Sequence, residues 1–215
     1  MSETFEQNET GRIEAFSDGV FAIAITLLVL AIKVPSAADI GRWGSLLSAL
    51  LGLWPHYLAF VTSFATIFAM WVNHHRIFIF VQRSDHFFLY WNGLLLLLVT
   101  FLPFPTALLA EYLLHTEGKV AGAAFAGTLV AIAMTFKGLW RYAAKNGRLL
   151  VRNAVLKDVE QISKQHRNAP ILYFIAFAIS FVSIGLSAGF CLGLAVFFGY
   201  KGWPARNSDN TIQAE

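Results

Sequence analysis

Apolar residues occur along this chain in long runs that are separated by short polar segments. A bilayer core about 30 Å thick is crossed by about 20 helical residues, and most of the runs reach that length. A hydrophobic fraction of 57% and a charged fraction of 13% are typical of an integral membrane protein. We therefore predict an all-α membrane protein with six membrane helices, at about residues 13–32, 43–71, 87–111, 120–140, 170–185 and 187–201.

The number of helices depends on the last apolar block, residues 170–200. This block is longer than the roughly 20 residues that one membrane helix needs and shorter than two such helices. Gly185 and Gly189 flank Ser187 near its middle, which favours two short helices joined by a tight turn. Five membrane helices remain the alternative. Pro55 interrupts the second apolar run and is the expected position of a bend.

The distribution of basic residues distinguishes six crossings from five. With six, both termini lie on one side of the membrane, and that side carries all sixteen Lys and Arg residues except Lys33, Arg42 and Lys119. This is the positive-inside pattern, so we expect cytoplasmic N and C termini in a prokaryotic cell membrane, that is, a plasma or inner membrane. Five crossings would move Lys201 and Arg206 to the other side, which fits the pattern less well.

We expect one channel-sized domain, residues 1–204, followed by a polar tail at 205–215. Residues 141–168 form a basic segment that is expected to extend into the cytoplasm. A voltage sensor would embed basic residues in an apolar helix, whereas here the hydrophobicity has already ended. We expect one basic helical face to contact anionic lipid headgroups. Its residues are Lys137, Arg141, Lys145, Arg148 and Arg152.

Motifs for enzyme chemistry are missing from the sequence. It has no glycine-rich phosphate loop and no cysteine cluster, since Cys191 is the only cysteine. His74 and His75 are adjacent, so their side chains point about 100° apart on a helix and cannot share a metal as an i,i+4 pair does. A buried histidine hydrogen-bonded to a carboxylate is the more ordinary role. We predict no catalytic residues, no fixed metal site, no cofactor and no nucleic-acid partner.

The first predicted helix has a polar entrance and an apolar interior. An ionised Asp18 near mid-bilayer would cost about 2.5–3.5 kcal/mol, so it must lie near an interface or have a partner. Arg12 is too distant for an i,i+4 pair, which favours a partner on another helix. Further along, an aliphatic stripe with the spacing i, i+4, i+7 forms one face, bordered by Thr26. Such a face can line a pathway, but it can also simply pack.

The segment R-x-x-x-F-S-D at the start of this helix resembles the signature of the transmembrane protein 175 family. Arg12, Phe16, Ser17 and Asp18 fill the motif without departure. The family consists of potassium channels that lack a T-V-G-Y-G filter loop, and its animal members work in endosomes and lysosomes. Those animal members carry two six-helix repeats, whereas this chain has room for one. The resemblance therefore implies a homotetramer.

The resemblance also implies roles for residues on two helices. Family members line a central pore with the first helix, where large aliphatic side chains form the constriction and a hydroxyl is linked to selectivity. They also hold the motif Arg and Asp in a polar network with a His of the second helix. The implied pore residues are Ile23, Thr26, Leu27 and Leu30. The implied structural polar network comprises Arg12, Ser17, Asp18, Trp71 and Asn73, with His74 or His75.

The resemblance implies a potassium-selective channel with a hydrophobic constriction and K⁺ as the transient permeant ion. The alternative is a proton- or cation-coupled transporter that uses Asp18 and His74 or His75 as a relay. A membrane enzyme built around Asn73, His74 and His75 is a more remote possibility. Unitary currents distinguish the channel from the transporter, because a transporter turns over too slowly to produce them.

Overall fold

Helices account for nearly all of the described chain. The computed structural model describes residues 2–151 and 155–202, with side chains for 10–151 and 155–200. Its α-helices are α1 (Ser2–Leu27), α2 (Ala37–Trp43), α3 (Leu46–Gly52), α4 (Trp54–Phe80), α5 (His86–Phe101), α6 (Pro103–Tyr112), α7 (Gly118–Ala144), α8 (Leu156–Ser180) and α9 (Ile184–Gly202). The predicted lipid contact Arg152 and the predicted tail at 205–215 lie outside the described residues.

Two short helices precede α4, and their ends are fixed by capping residues. The Ser36 hydroxyl accepts a hydrogen bond from the Asp39 amide at 3.3 Å, and the Asp39 carboxylate accepts one from the Ser36 amide at 2.9 Å. This capping box starts α2, and Gly44, with a φ of 78°, ends it in the left-handed region. Ser45 then caps α3. The predicted helix over 43–71 is divided at Leu53, which separates the end of α3 at Gly52 from the start of α4 at Trp54, and its first residue, Trp43, belongs to α2.

α4 is the second long helix, and it begins and ends later than the sequence pattern indicated. Pro55 lies in its first turn, where the backbone N–H groups have no partner within the helix, so a proline without an N–H costs no hydrogen bond. Pro55 therefore starts a helix instead of bending one. The helix continues through Trp71 to Phe80, so His74 and His75 lie within α4 and not beyond its end.

α5 and α6 together form one long apolar unit, residues 86–112. The Asp85 carboxylate caps α5 by accepting a hydrogen bond from the Phe88 amide at 2.9 Å. Pro103 and Pro105 stand at the start of α6, and a proline in a helix interior would remove a backbone hydrogen bond. The helix is therefore interrupted between Phe101 and Pro103.

Asp85 gives the first testable prediction. Partial burial raises the pKa of its carboxyl, but hydrogen bonds from the Tyr142 hydroxyl and the Phe88 amide, together with the Arg148 charge, outweigh that effect and lower the pKa below its ordinary 3.8. Asp85→Ala removes an N-cap, so we expect the free energy of unfolding to fall by about 1–2 kcal/mol. Thermal denaturation of the purified protein in detergent at neutral pH measures this change.

The pH dependence of this effect has a definite sign. A carboxyl with a lowered pKa stabilises the folded state fully above its ordinary pKa, and this stabilisation is lost as pH falls through the folded value. Wild type and Asp85→Ala should therefore differ at neutral pH and converge in strong acid. Ser84→Ala, at the preceding position, is the matched control and should show little change. A difference that persists undiminished in acid would contradict a role for the ionised cap.

α7 crosses the structure and ends at a backbone feature that the sequence did not reveal. Asn146 and Gly147 have φ values of 57° and 65°, which turn the chain away from the helix axis. The predicted basic extension at 141–168 is not a separate segment, because residues 141–144 belong to α7 and 156–168 belong to α8. Backbone hydrogen bonds of Leu149 and Val151 with residues 80–83, at the end of α4 and just after it, hold the intervening turn.

The last apolar block divides earlier than predicted. The amides of Val182 and Ser183 both donate to the Ile179 carbonyl at 2.9 Å, which ends α8, and α9 begins at Ile184. Ser187 does not mark a turn, because its hydroxyl donates to the Ala176 carbonyl at 2.8 Å and ties α9 to α8. The boundary predicted between 185 and 187 therefore moves to residues 181–183.

α4 and α7 lie at the centre of the packing. α7 contacts α5, α6, α8 and α9, and α4 contacts α1, α6 and α9. Phe125, Leu129 and Ile132 of α7 are almost completely buried, as is Ile67 of α4. α1 packs mainly on α4, on α5 and on the 3₁₀ turn Leu28–Ala31 that follows it, and only 22% of the residues in its most apolar 18-residue stretch are buried. α1 therefore lies at the edge of the subunit with most of its surface uncovered.

Four segments of the described chain are long and apolar enough to cross a membrane. They are Thr10–Ala31, Trp54–Phe80, His86–Tyr112 and Gly118–Gly147. A shorter apolar helix covers Ile184–Tyr200. α8 becomes continuously apolar only in its second half, after Pro170. The fold is thus that of an all-α, multi-pass membrane protein.

Candidate functional site

α1 has one face that packs on the subunit and one face that does not. Ser17, Phe21, Ala24 and Leu28 follow at helical spacing and are buried. The hydroxyl of Ser17 donates to the Ile13 carbonyl at 2.8 Å, so its polar group is satisfied within the helix. This buried side fixes the rotation of α1 about its own axis.

The opposite face of α1, continued by the 3₁₀ turn Leu28–Ala31 that follows it, carries all four predicted pore residues. Ile23, Leu27 and Leu30 are 58%, 41% and 73% exposed, and Thr26 beside them is also exposed. The Thr26 hydroxyl donates to the Ile23 carbonyl at 2.8 Å, which leaves the lone pairs of its oxygen available on this face. We call Ile23, Thr26, Leu27 and Leu30 the exposed stripe. It is an apolar surface with one oxygen acceptor.

Ser17 begins a buried hydrogen-bonded chain that joins α1 to two other helices. The Asn92 side-chain amide of α5 donates to the Ser17 hydroxyl at 3.0 Å, and its carbonyl lies 2.9 Å from His74 Nε2 of α4. An amide carbonyl only accepts, so His74 donates from Nε2. His74 is fully buried, and its ring packs beside Phe21 and Phe78 at centroid distances of 5.3 and 4.6 Å.

Two further contacts join α1 to α4 along a second line. The indole Nε1 of Trp71 donates to the Asp18 carboxylate at 2.9 Å, and His75 Nδ1 lies 2.7 Å from the Glu14 carboxylate. The Trp71 and His75 rings stack at 6.2 Å with an interplanar angle of 20°. The two histidines therefore contact α1 at different points, because adjacent helical residues point in different directions.

Arg12 lies apart from the contacts of Asp18 in the described subunit. It is exposed, and no contact described for residues 10–151 or 155–200 joins it to Asp18. Six residues separate the two positions, which places them about 120° apart around a helix. Asp18 faces α4, whereas Arg12 lies toward the uncovered side with Phe16. Within the described subunit Arg12 and Asp18 therefore face different surroundings, and a network that includes both stays a prediction.

Asn73 belongs to a different part of the molecule. Its amide donates to the Ala69 carbonyl at 2.7 Å and to the Phe198 carbonyl of α9 at 3.3 Å. Its own carbonyl accepts a hydrogen bond from the Gln165 amide of α8 at 2.6 Å. Asn73 therefore joins α4 to α8 and α9, away from α1. Its predicted place beside the motif residues is corrected.

The sequence reasoning missed Glu14 and Asn92. Asn92 was detectable in principle, because it is the only strongly polar side chain between Phe87 and Val99 of an apolar helix, and an isolated amide in such a run needs a buried partner. Glu14 gave no comparable signal, since it lies among other acidic residues near the N-terminus. The described residues contain no group of three or more His, Cys, Asp and Glu side chains placed to hold a metal ion.

These features define a class of protein: a helical membrane protein whose first helix is tied to its neighbours by polar groups on one face and presents an aliphatic stripe on the other. Comparisons with known proteins identify the family. Residues 12–103 match the family model described as "Endosomal/lysosomal potassium channel TMEM175". A potassium channel of Chamaesiphon minutus is 60% identical over 201 residues, covering 94% of this chain and 98% of that one. The chain belongs to the TMEM175 family.

A second relative and a solved structure agree with this assignment. A potassium channel of Streptomyces collinus is 40% identical, covering 92% of this chain and 95% of that one. The crystal structure of a lysosomal potassium-selective channel TMEM175 homolog from Chamaesiphon minutus superposes with a TM-score of 0.84 and 58% identity, covering 91% of this chain and 99% of that one. The resemblance found in the R-x-x-x-F-S-D motif is confirmed.

Proposed function

We propose that this protein is a potassium-selective channel that conducts K⁺ through a central pore lined by α1. The observation that carries the proposal is the exposed stripe on α1 in a chain that is 60% identical to a potassium channel. A helix whose aliphatic face is uncovered in the subunit, while its other face is held by buried hydrogen bonds, is suited to face an axis shared with other copies. Its family comprises ion channels, so the protein is not an enzyme, and K⁺ is the permeant ion with no cofactor required.

The proposed assembly is a homotetramer. Copies of α1 around an axis would bring the exposed stripes together and cover side chains that one subunit leaves open. Six membrane crossings per subunit are proposed, with α8 and α9 as the fifth and sixth, and this places both termini on one side. The positive-inside pattern makes that side cytoplasmic. In a prokaryotic cell the host bilayer is then the plasma or inner membrane.

Conduction is proposed to depend on an aliphatic constriction. Four copies of Ile23 facing each other would form a narrow apolar ring, and such rings gate by excluding water. Leu27 and Leu30 would continue the apolar wall, and the Thr26 oxygen would offer a ligand between Ile23 and Leu27. Partial dehydration at the ring costs less for the larger ion, which favours K⁺ over Na⁺. The contacts of Ser17, Asp18 and Glu14 would hold each α1 at a fixed rotation.

Planar-bilayer recording of the purified protein tests this function. We expect unitary currents that reverse near the potassium equilibrium potential in mixed K⁺ and Na⁺ solutions. Charge movement without resolvable unitary events, driven by a proton or cation gradient, would instead support a coupled transporter. The contacts of Asp18 favour the channel, because in the described residues it binds the Trp71 indole and shares no hydrogen bond with His74 or His75.

A further inference from the structure

A groove of about 670 Å³ lies on the outer side of α7, between α5 and α8. Trp91 of α5 forms part of its wall and packs directly on the α7 backbone at Gly138. A Cβ added at Gly138 would lie 2.5 Å from the Trp91 ring, so glycine is what allows this close approach. α8 supplies Ile171 and Phe174, both of which are exposed. The groove is therefore open to the surroundings of the subunit and mainly apolar.

The α7 side of this groove changes from apolar to basic along one helical face. Val130 and Met134 line one end, and Lys137, Arg141 and Lys145 line the other. Successive spacings of four, three, four and four residues keep all five side chains on the same face. The charge is therefore concentrated at one end of the groove. A groove with this distribution of charge is complementary to an amphiphile that has an acidic head and an apolar tail.

The length of this face fits one half of a bilayer. From Val130 to Lys145, the residue that follows the last residue of α7, the chain rises about 22 Å, at 1.5 Å per residue. Half of a bilayer that is about 40–45 Å thick with its headgroups has nearly the same depth. The basic end of α7 lies on the side of the termini, which the positive-inside pattern makes cytoplasmic. The groove thus spans one leaflet, with its charges at headgroup level.

The three cations of the groove have no carboxylate within salt-bridge distance among the residues whose side chains are described. Arg148 differs, because it pairs with Asp85 at 3.1 Å and lies over the Tyr142 ring at 5.5 Å. Arg148 was predicted as a headgroup contact, whereas in the structure it contacts Asp85 and Tyr142. Lys137, Arg141 and Lys145 are the members of that basic face that remain available to a ligand.

We infer that this groove binds one anionic phospholipid, with its phosphate at Lys137, Arg141 and Lys145 and an acyl chain along Met134, Ile171 and Phe174. The site rests on the proposed membrane placement of the chain but not on its ion selectivity. Charge complementarity favours an anionic lipid over a second copy of the chain, because the groove combines three basic side chains at one end with apolar side chains of α7 and α8 along the rest.

Native mass spectrometry of the purified full-length protein tests the site. The probes are phosphatidylglycerol and phosphatidylcholine with identical acyl chains. We expect phosphatidylglycerol to bind at least tenfold more tightly. The variant Lys137→Gln/Arg141→Gln/Lys145→Gln should lose this affinity by on the order of a hundredfold, since each basic residue near an anionic surface contributes about fivefold.

Matched controls keep the test specific. Arg42→Gln/Lys119→Gln/Lys157→Gln removes the same charge at exposed positions outside the groove and should retain phosphatidylglycerol binding. Glycerol phosphate, which has the headgroup chemistry without acyl chains, should not compete.

Equal binding of the two lipids, retained preference in the groove variant, or full competition by glycerol phosphate would overturn the proposal. So would efficient crosslinking between Ile171→Cys copies, which would place a second subunit in the groove. Loss of potassium selectivity would leave these readouts unchanged, so failure of the channel proposal is distinguishable.

Discussion

Replacing Ile23 with asparagine is expected to reduce the preference for K⁺ over Na⁺ and to raise the total current. Four amides would hold water and offer carbonyl oxygens where an aliphatic ring excludes water. Sodium would then lose less hydration on passing, and the two ions would cross at more similar rates. We expect the permeability ratio to fall by on the order of tenfold, which moves the reversal potential under bi-ionic conditions by about 59 mV.

Two further substitutions show whether the effect belongs to Ile23. Leu27→Asn, one turn along the exposed stripe, should act in the same direction but more weakly if that ring is wider. Ile25→Val is the conservative control, because Ile25 is half-buried and packs against the subunit core. An unchanged reversal potential in a folded, conducting Ile23→Asn channel would make Ile23 a packing residue. Thr26 would then be the leading selectivity candidate, to be examined as Thr26→Val.

Asn92→Ala is expected to destabilise the attachment of α1 more than any other single change in the polar groups considered above. It removes the acceptor of His74 Nε2 and the donor to Ser17, both of which are buried. His74 Nε2 is then buried without a partner, which costs about 1–3 kcal/mol, while Ser17 keeps its bond to the Ile13 carbonyl and loses one hydrogen bond worth about 1 kcal/mol. We therefore expect a loss of about 2–4 kcal/mol. The measurement is the midpoint of thermal loss of the assembled protein, followed by size-exclusion chromatography in detergent.

Thr100→Ala is the matched control on the same helix. Its hydroxyl is exposed and donates only to the Leu97 carbonyl of its own turn, so its removal should have little effect. A rescue variant sharpens the test: Asn92→Leu/His74→Phe/Ser17→Ala replaces all three polar groups by apolar ones, which can be nearly neutral. The Phe would occupy a site between Phe21 and Phe78. Equal stability of Asn92→Ala and Thr100→Ala would show that this hydrogen-bonded chain does not anchor α1.

Most of the membrane helices could be predicted from the sequence, because a membrane helix requires only a continuous run of apolar residues along the chain. A helix in hydrocarbon satisfies its own backbone, so its existence depends on a local run of apolar residues. α1, α4, α5 with α6, and α7 correspond to predicted runs for this reason, and the family was recognisable from a short motif at the start of α1. Helix ends were less predictable, since Pro55 starts α4 and Ser187 binds α8 instead of turning the chain.

The contacts around α1 show that the local sequence pattern does not reveal which helix each polar side chain contacts. Arg12 and Asp18 share a motif, yet their positions on the helix face different surroundings, and Asp18 binds Trp71 across 53 positions of sequence. Asn73, His74 and His75 are consecutive but face α8 and α9, α5, and α1 respectively. Their roles depend on which helix packs on each side of α4.

The sequence by itself determined the membrane class, the family and the spacing of the aliphatic residues on α1, because each depends on residue type at local or helical intervals. Only the tertiary structure decided which face of α1 is uncovered, which partner each polar side chain has, and that Lys137, Arg141 and Lys145 border an apolar groove. These properties arise from the packing of helices that are distant in sequence, where a rotation of one helix by a third of a turn exchanges its buried and exposed residues.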